Sequence, residues 1–234
     1  MDSQLIPGVI GGMGPEATID LLYRVIKYTP AQDDNDHIRI LIDNNPSVPS
    51  RIKAIIEKTG ESPAPTMIKM AQGLIAQGAD FLVIPCNTAH YYYDAVLSAV
   101  TVPVINIVEI TAKEIANKNF SKVGLLGSTA LQITEIYHSV LQRYDIEASY
   151  PDKEYQAVLM EMIKAIKAKS FNNHHLEEFN KIQNHMKDRK VDCLVLACTE
   201  LSVIRDQVQF HMPVFDTLDI LAQEIIRQSK KISK

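Results

Sequence analysis

Two cysteines in this chain close two near-identical segments. Ala79-Asp80-Phe81-Leu82-Val83-Ile84-Pro85-Cys86-Asn87-Thr88 and Val191-Asp192-Cys193-Leu194-Val195-Leu196-Ala197-Cys198-Thr199-Glu200 each run from an Asp through an apolar stretch to a Cys and then to polar residues. Two further pairs keep the same order and nearly the same offset. Gly8-Val9-Ile10-Gly11-Gly12 matches Gly124-Leu125-Leu126-Gly127-Ser128, and Val102-Pro103-Val104-Ile105-Asn106 matches Met212-Pro213-Val214-Phe215-Asp216. Three ordered matches imply two structural halves that present Cys86 and Cys198 at equivalent places. If the halves face each other, the thiols flank one small molecule. A thiolate on one side can take a proton while a thiol on the other supplies one, which is two-base proton transfer.

The elements that must position these groups follow from pattern. Ile6 to Ile10 reads as a buried strand, and Pro15-Glu16-Ala17-Thr18 opens a helix to about Tyr28, since Pro and an acid suit a first turn. His37 to Ile42 reads as a strand and Asn44 to Ser50 as a loop. Thr66 to Gln77 has helical spacing and stops at Gly78. Phe81 to Pro85 is the strand before Cys86, Thr88 begins a helix, and Val102 to Ile107 is another strand. In the second half, Lys122 to Leu126 is a strand and Thr129 to Tyr144 a helix. Tyr155 to Lys169 and Leu176 to Arg189 are helices, and Cys193 to Ala197 is a strand before a helix from Thr199. Val214 lies in a strand, and Leu218 to Gln228 forms the last helix. Apolar strands alternating with helices predict an α/β fold of two similar domains related by a pseudo-two-fold, each a parallel sheet flanked by helices. The predicted division is residues 1–117 with 214–234 against residues 118–213, the last helix returning to the first half.

In such sheets ligands bind at the carboxyl ends of the strands, where both Cys86 and Cys198 fall. Each precedes a predicted helix, whose positive end favours thiolate. Cys193, in mid-strand, reads as a small packed hydrophobe. Asn87, Thr88 and Thr199 offer hydrogen bonds beside the sulfurs, and Gly11 to Gly14 let a ligand approach the backbone. That glycine segment lacks both the Gly-x-Gly-x-x-Gly pattern and the Lys of a phosphate loop.

The chain has 234 residues, 46% hydrophobic and 22% charged, with net charge −4. That is ordinary globular composition with no basic surface for nucleic acid. Three cysteines cannot all pair and lack zinc-site spacing, so a reducing, cytoplasmic setting is expected. No signal peptide and no membrane span is read. The Lys-rich end, Lys230 to Lys234, reads as a frayed tail.

Gly11-Gly12-Met13-Gly14-Pro15-Glu16-Ala17-Thr18, Pro85-Cys86-Asn87-Thr88-Ala89-His90 and Ala197-Cys198-Thr199-Glu200-Leu201 together resemble the aspartate/glutamate racemase family. The resemblance runs in order through nearly the whole chain. It implies a racemase that works without pyridoxal phosphate or metal, with Cys86 and Cys198 on opposite sides of the substrate Cα in an interdomain cleft. Each sulfur is then acid in one direction and base in the other. Met13, Asn87, Thr88, Ser128, Thr129, Thr199 and Glu200 fall on substrate-binding positions of the family, and His90 and Glu200 are placed to orient the site. The segment Asn45 to Arg51 resembles the family loop whose Arg reads the side-chain carboxylate, which assigns Arg51. The second cation falls on Lys167, with Lys164 as the alternative. Ser128, Leu131 and Lys169 depart from the family's usual Thr, Thr and Gly. L/D-aspartate is the implied substrate, with glutamate or a broader amino-acid range as the alternative and a homodimer as the implied assembly. Related isomerases and decarboxylases of small dicarboxylates share the fold. A carboxylate-binding protein without turnover, or a thiol redox protein, would also keep parts of this pattern.

Overall fold

The computed structural model of the protein describes residues 4–230. The rest of the Lys-rich end lies outside them. Two four-stranded sheets carry the fold, each wholly parallel. In the first, β1 (Pro7–Gly11), β2 (Leu41–Asn44), β3 (Phe81–Val83) and β4 (Val104–Ile105) lie in the order β2-β1-β3-β4. In the second, β5 (Lys122–Leu126), β6 (Glu147–Ser149), β7 (Cys193–Leu196) and β8 (Val214–Asp216) repeat it as β6-β5-β7-β8. The helices are α1 (Pro15–Tyr28), α2 (Ala64–Ala76), α3 (Tyr93–Leu97), α4 (Ile107–Ala116) and α5 (Thr129–Thr134), then α6 (Ile136–Gln142), α7 (Lys153–Lys167), α8 (Asn173–Asp188), α9 (Thr199–Val203) and α10 (Thr217–Ser229).

The repeated residues perform repeated tasks. Asp80 accepts a hydrogen bond from Ile6 N at 2.7 Å, and Asp192 accepts from Lys122 N at 2.8 Å. Each Asp thus ties the start of a cysteine-bearing strand to the neighbouring central strand. Asn106 caps α4 by accepting from Val108 N at 3.0 Å, and Asp216 caps α10 by accepting from Leu218 N at 2.9 Å. Caps of this kind satisfy backbone donors that a helix start leaves free.

Side chains alternate across each strand. Ile10, Leu82 and Ile84 face a core with Met67, Met70 and Leu74 of α2. Leu194 and Leu196 face another with α7 and α8 residues such as Ile163 and Phe179. Val9, Val83, Leu125 and Val195 point the other way, into one shared core that includes α10 residues Leu218, Leu221 and Ile225. The backs of both sheets therefore meet, and α10 packs on α1 and α4.

Several elements differ from expectation. The second strand is Leu41–Asn44 rather than 37–42, because Asp33 caps a turn at Asp34–Asp36 that ends on His37. The run at 102–107 is divided, with a two-residue strand and then α4, a helix with no counterpart in the sequence reading. Predicted helix 129–144 breaks at Glu135, whose φ of 52° is left-handed, giving α5 and α6. Thr88 starts a 3-10 turn to Tyr92 before the short α3. The edge strand β6 was also absent from the reading, its Glu-Ala-Ser sequence having little strand preference.

Candidate active site

Cys86 leaves β3 through Ile84-Pro85, and Cys198 leaves β7 through Ala197, so each strand end delivers one sulfur to the same cleft between the sheets. There they line one cavity of about 50 Å³ with Met13, Ser50, Arg51, Ile52, Asn87, Thr88, Ser128, Ile163, Lys167, Ala197, Thr199 and Glu200. Both sulfurs are free, and both residues are buried. Cys193 is also free but sits in the shared core, where burial pushes its thiol up to about 12.

The cavity gathers every predicted catalytic and substrate-binding residue except Thr129, and His90 also lies outside it. Ser128 caps α5, accepting from Leu131 N at 3.3 Å, and its hydroxyl faces Thr88 Oγ1 at 2.9 Å across the cleft. Thr129, one residue on, turns away. Its N–H meets Met160 Sδ at 3.2 Å, and it lines a different cavity beside Gln156. Between the two lysines, Lys167 lines the site with Ile163 one helical turn before it, and Lys164 does not. Ser50, Ile52, Ile163 and Ala197 were missed. Ile163 was findable, since it stands four residues before Lys167 on the same helix face.

The polar side chains are held by specific bonds. Arg51 donates to Pro49 O and Met13 O, each at 3.2 Å, and has no ion pair among the described residues. Its charge is therefore available to an anion. Asn87 ties the first sheet's cysteine loop to helices of the second: Tyr137 donates to its Oδ1 at 2.6 Å, and its Nδ2 donates to Thr217 Oγ1 at 2.9 Å. Thr199 reaches back to Pro85 O at 3.2 Å. His90 receives Ile107 N–H at Nε2, 3.1 Å away, so its Nδ1 carries the proton and donates to Cys86 O at 2.9 Å. Burial holds this imidazole at about 4, so it stays neutral. His90 thereby fixes the backbone of Cys86 from outside the cavity.

Cys198 differs from the prediction. Its S–H donates to Glu200 Oε2 at 2.9 Å. Burial pushes the thiol well above its ordinary range, the Glu200 charge adds to the push, and Lys167 opposes it. The expected thiolate stabilisation by a helix start is outweighed by burial and by the Glu200 carboxylate. Lys167 Nζ lies 3.1 Å from Glu200 Oε1, an ion pair whose geometry falls short of a directed hydrogen bond. Burial works against the Lys167 charge, but Glu200 and then Cys198 outweigh it, so the ammonium is held above its usual range.

Two free cysteines thus share one cavity with two cations, Arg51 and Lys167. The family model described as Asp/Glu/Hydantoin racemase matches residues 10–225. The chain belongs to the Asp/Glu/hydantoin racemase family. It is an amino-acid racemase of that family, an isomerase. Broad specificity amino-acid racemase RacX of Bacillus subtilis is 30% identical over 223 residues, covering 94% of this chain and 96% of the relative. Among solved structures, Picrophilus torridus aspartate racemase superposes with a TM-score of 0.82 at 31% identity, covering 98% of this chain and 96% of that one. A glutamate racemase of Aquifex aeolicus is 27% identical over 147 residues, covering 61% of this chain and 55% of the relative. Among the described residues no cluster of three or more His, Cys, Asp or Glu is arranged to hold a metal ion.

Proposed function

We propose that this racemase interconverts L- and D-aspartate by proton transfer between Cys86 and Cys198. The observation that carries the reading is the pair of sulfurs in one cavity with Arg51 and Lys167. In one direction the Cys86 thiolate removes the α-proton, and the Cys198 S–H delivers its proton to the opposite face of Cα. The reverse reaction exchanges the roles. Charge that develops on the α-carboxylate is met by the Thr88 hydroxyl and by backbone N–H groups at the start of α9, which have no intrahelical partner. Arg51, free of acidic partners, pairs with the side-chain carboxylate in a bidentate fashion. Pyridoxal phosphate has no part in these steps.

A second reading is broad specificity. A further cavity of about 600 Å³ adjoins the site at Ser50, Arg51, Lys167 and Glu200, and its walls include Ile19, Val48, Ile166 and Val203. Those side chains favour amino acids longer and less polar than aspartate. Both readings are tested by following α-proton exchange by NMR in D₂O without added cofactor, using L-aspartate, L-glutamate and L-methionine in separate runs. Exchange with appearance of the D enantiomer for aspartate alone supports the first reading. Exchange across all three supports the second. Cys86→Ala and Cys198→Ala should each abolish racemisation, a loss of at least about 10³-fold. Full racemisation by either variant would sink the two-base mechanism.

A further inference from the structure

The two sulfurs occupy equivalent places in the repeat, yet their surroundings are not equivalent. Among the described residues, Glu200 is the only carboxylate that lines the cavity. It stands two residues after Cys198, at a position where the first half has Thr88 after Cys86. The Cys198 S–H donates to Glu200 Oε2 at 2.9 Å, while the sulfur of Cys86 makes no hydrogen bond among the described residues. Glu200 is itself fixed: it is 7% exposed, and Lys167 Nζ holds its other oxygen at 3.1 Å. Packing leaves it little room, since a Cβ on Gly14 of the first half would come within 3.1 Å of Oε1. The groups that face Cys198 are Glu200 from α9, Lys167 from α7, and Cys86 from the far side, with Arg51 on the same cavity wall.

We propose that Glu200 is a positioning residue that keeps Cys198 as a protonated thiol in the resting enzyme, so that the resting base is Cys86 and the resting acid is Cys198. A carboxylate can accept the S–H bond of a thiol but can only repel a thiolate at the same distance. Lys167 pairs with Glu200 and so limits the repulsion. After one inversion the proton taken from Cα sits on Cys86, and Cys198, having given its own, is left as a thiolate beside Glu200. That form is the less stable one and returns to the resting form when the proton on Cys86 is lost and Cys198 regains one from solvent. The two cysteines of a duplicated fold thus acquire different resting states through one residue that the duplication does not repeat.

This inference rests on the two-cysteine reading, but its test needs no substrate. Two proteins each with a single thiol, Cys86→Ala/Cys193→Ala and Cys193→Ala/Cys198→Ala, are alkylated with iodoacetamide across pH 5 to 11, with folding checked by circular dichroism. Cys86 should titrate at lower pH than Cys198. Adding Glu200→Gln to the protein that retains Cys198 should shift its titration down by about one pH unit or more, and Lys167→Met should shift it up. A residue that merely fills space would move neither. Cys198 titrating below Cys86, or an unmoved Cys198 in Glu200→Gln, would overturn the proposal. The comparison of the two single-thiol proteins decides it even if Glu200→Gln does not fold. Failure of the racemase reading would show differently, as no α-proton exchange by the wild-type enzyme with these titrations unchanged.

Discussion

His90 shows how far a residue's role depends on its partners. Both ring nitrogens are occupied by backbone groups, at Cys86 O and Ile107 N, and burial holds the imidazole at about 4. The native state therefore excludes a proton that the unfolded chain binds below about pH 6.5. Stability is fully present above that pH and falls as pH drops from 6.5 to 4, by about 3 kcal/mol for this group. His90→Gln should flatten that part of the stability profile, measured by urea unfolding at stepped pH. Retention of the slope would assign it to other groups. At this scale Cys86 and Cys198 were legible in the sequence because motif and repeat both single them out, whereas Arg51 and Lys167 were candidates only through the family resemblance, with Lys164 as the alternative. The protonation preference of Cys198 was not, because it depends on burial and on the rotamer that brings Glu200 to the sulfur. Thr129 misled for a related reason. Its neighbour Ser128 takes the cap position that faces the cleft, and the next residue on a helix start points elsewhere.

Among the elements, the loop after β1 is the tightest constraint on the site. Gly12 has φ of 87°, and a Cβ there would lie 2.2 Å from the backbone of Asn45. Its N–H donates to Thr18 Oγ1 at 3.0 Å, which ties the loop to α1. Gly12→Ala should cost at least about 1–3 kcal/mol by urea midpoint. It should also raise KM more than it lowers kcat, because Asn45 to Arg51 must move. An unchanged KM would separate this loop from substrate binding. Strands beginning at Phe81, Lys122 and Cys193, and helices such as α1 and α10, were readable from apolar runs, Pro and Gly. The two-residue strand β4 and the helix α4 were not, since Val102 to Ile107 reads as one strand, which the Asn106 cap divides. The missing β6 has an equivalent in β2, and the repeat itself demanded it.

For the molecule as a whole, the decisive feature is that the halves are joined behind the cysteines. Arg24 of α1 donates to Asp216 at 2.8 Å, to Asp219 at 2.6 Å and to Ser202 O at 2.7 Å, with its side chain 8% exposed. With the shared core, this predicts one cooperative unfolding transition, with far-UV and near-UV signals coincident in urea. Two separated transitions would mean that the halves fold independently. Arg24→Met leaves Asp216 buried with its main cation gone and should cost about 3–5 kcal/mol. By itself, the sequence determined the duplication, the α/β character and which side chains could do chemistry, because these depend on periodicity, turn residues and residue type along the chain. Only the tertiary structure decided that the two sulfurs share one cavity, that Lys167 rather than Lys164 lines it, and that Glu200 bonds the sulfur of Cys198. Those outcomes depend on the angle between two sheets and on the rotamers packed between them, and neither quantity is written in local sequence.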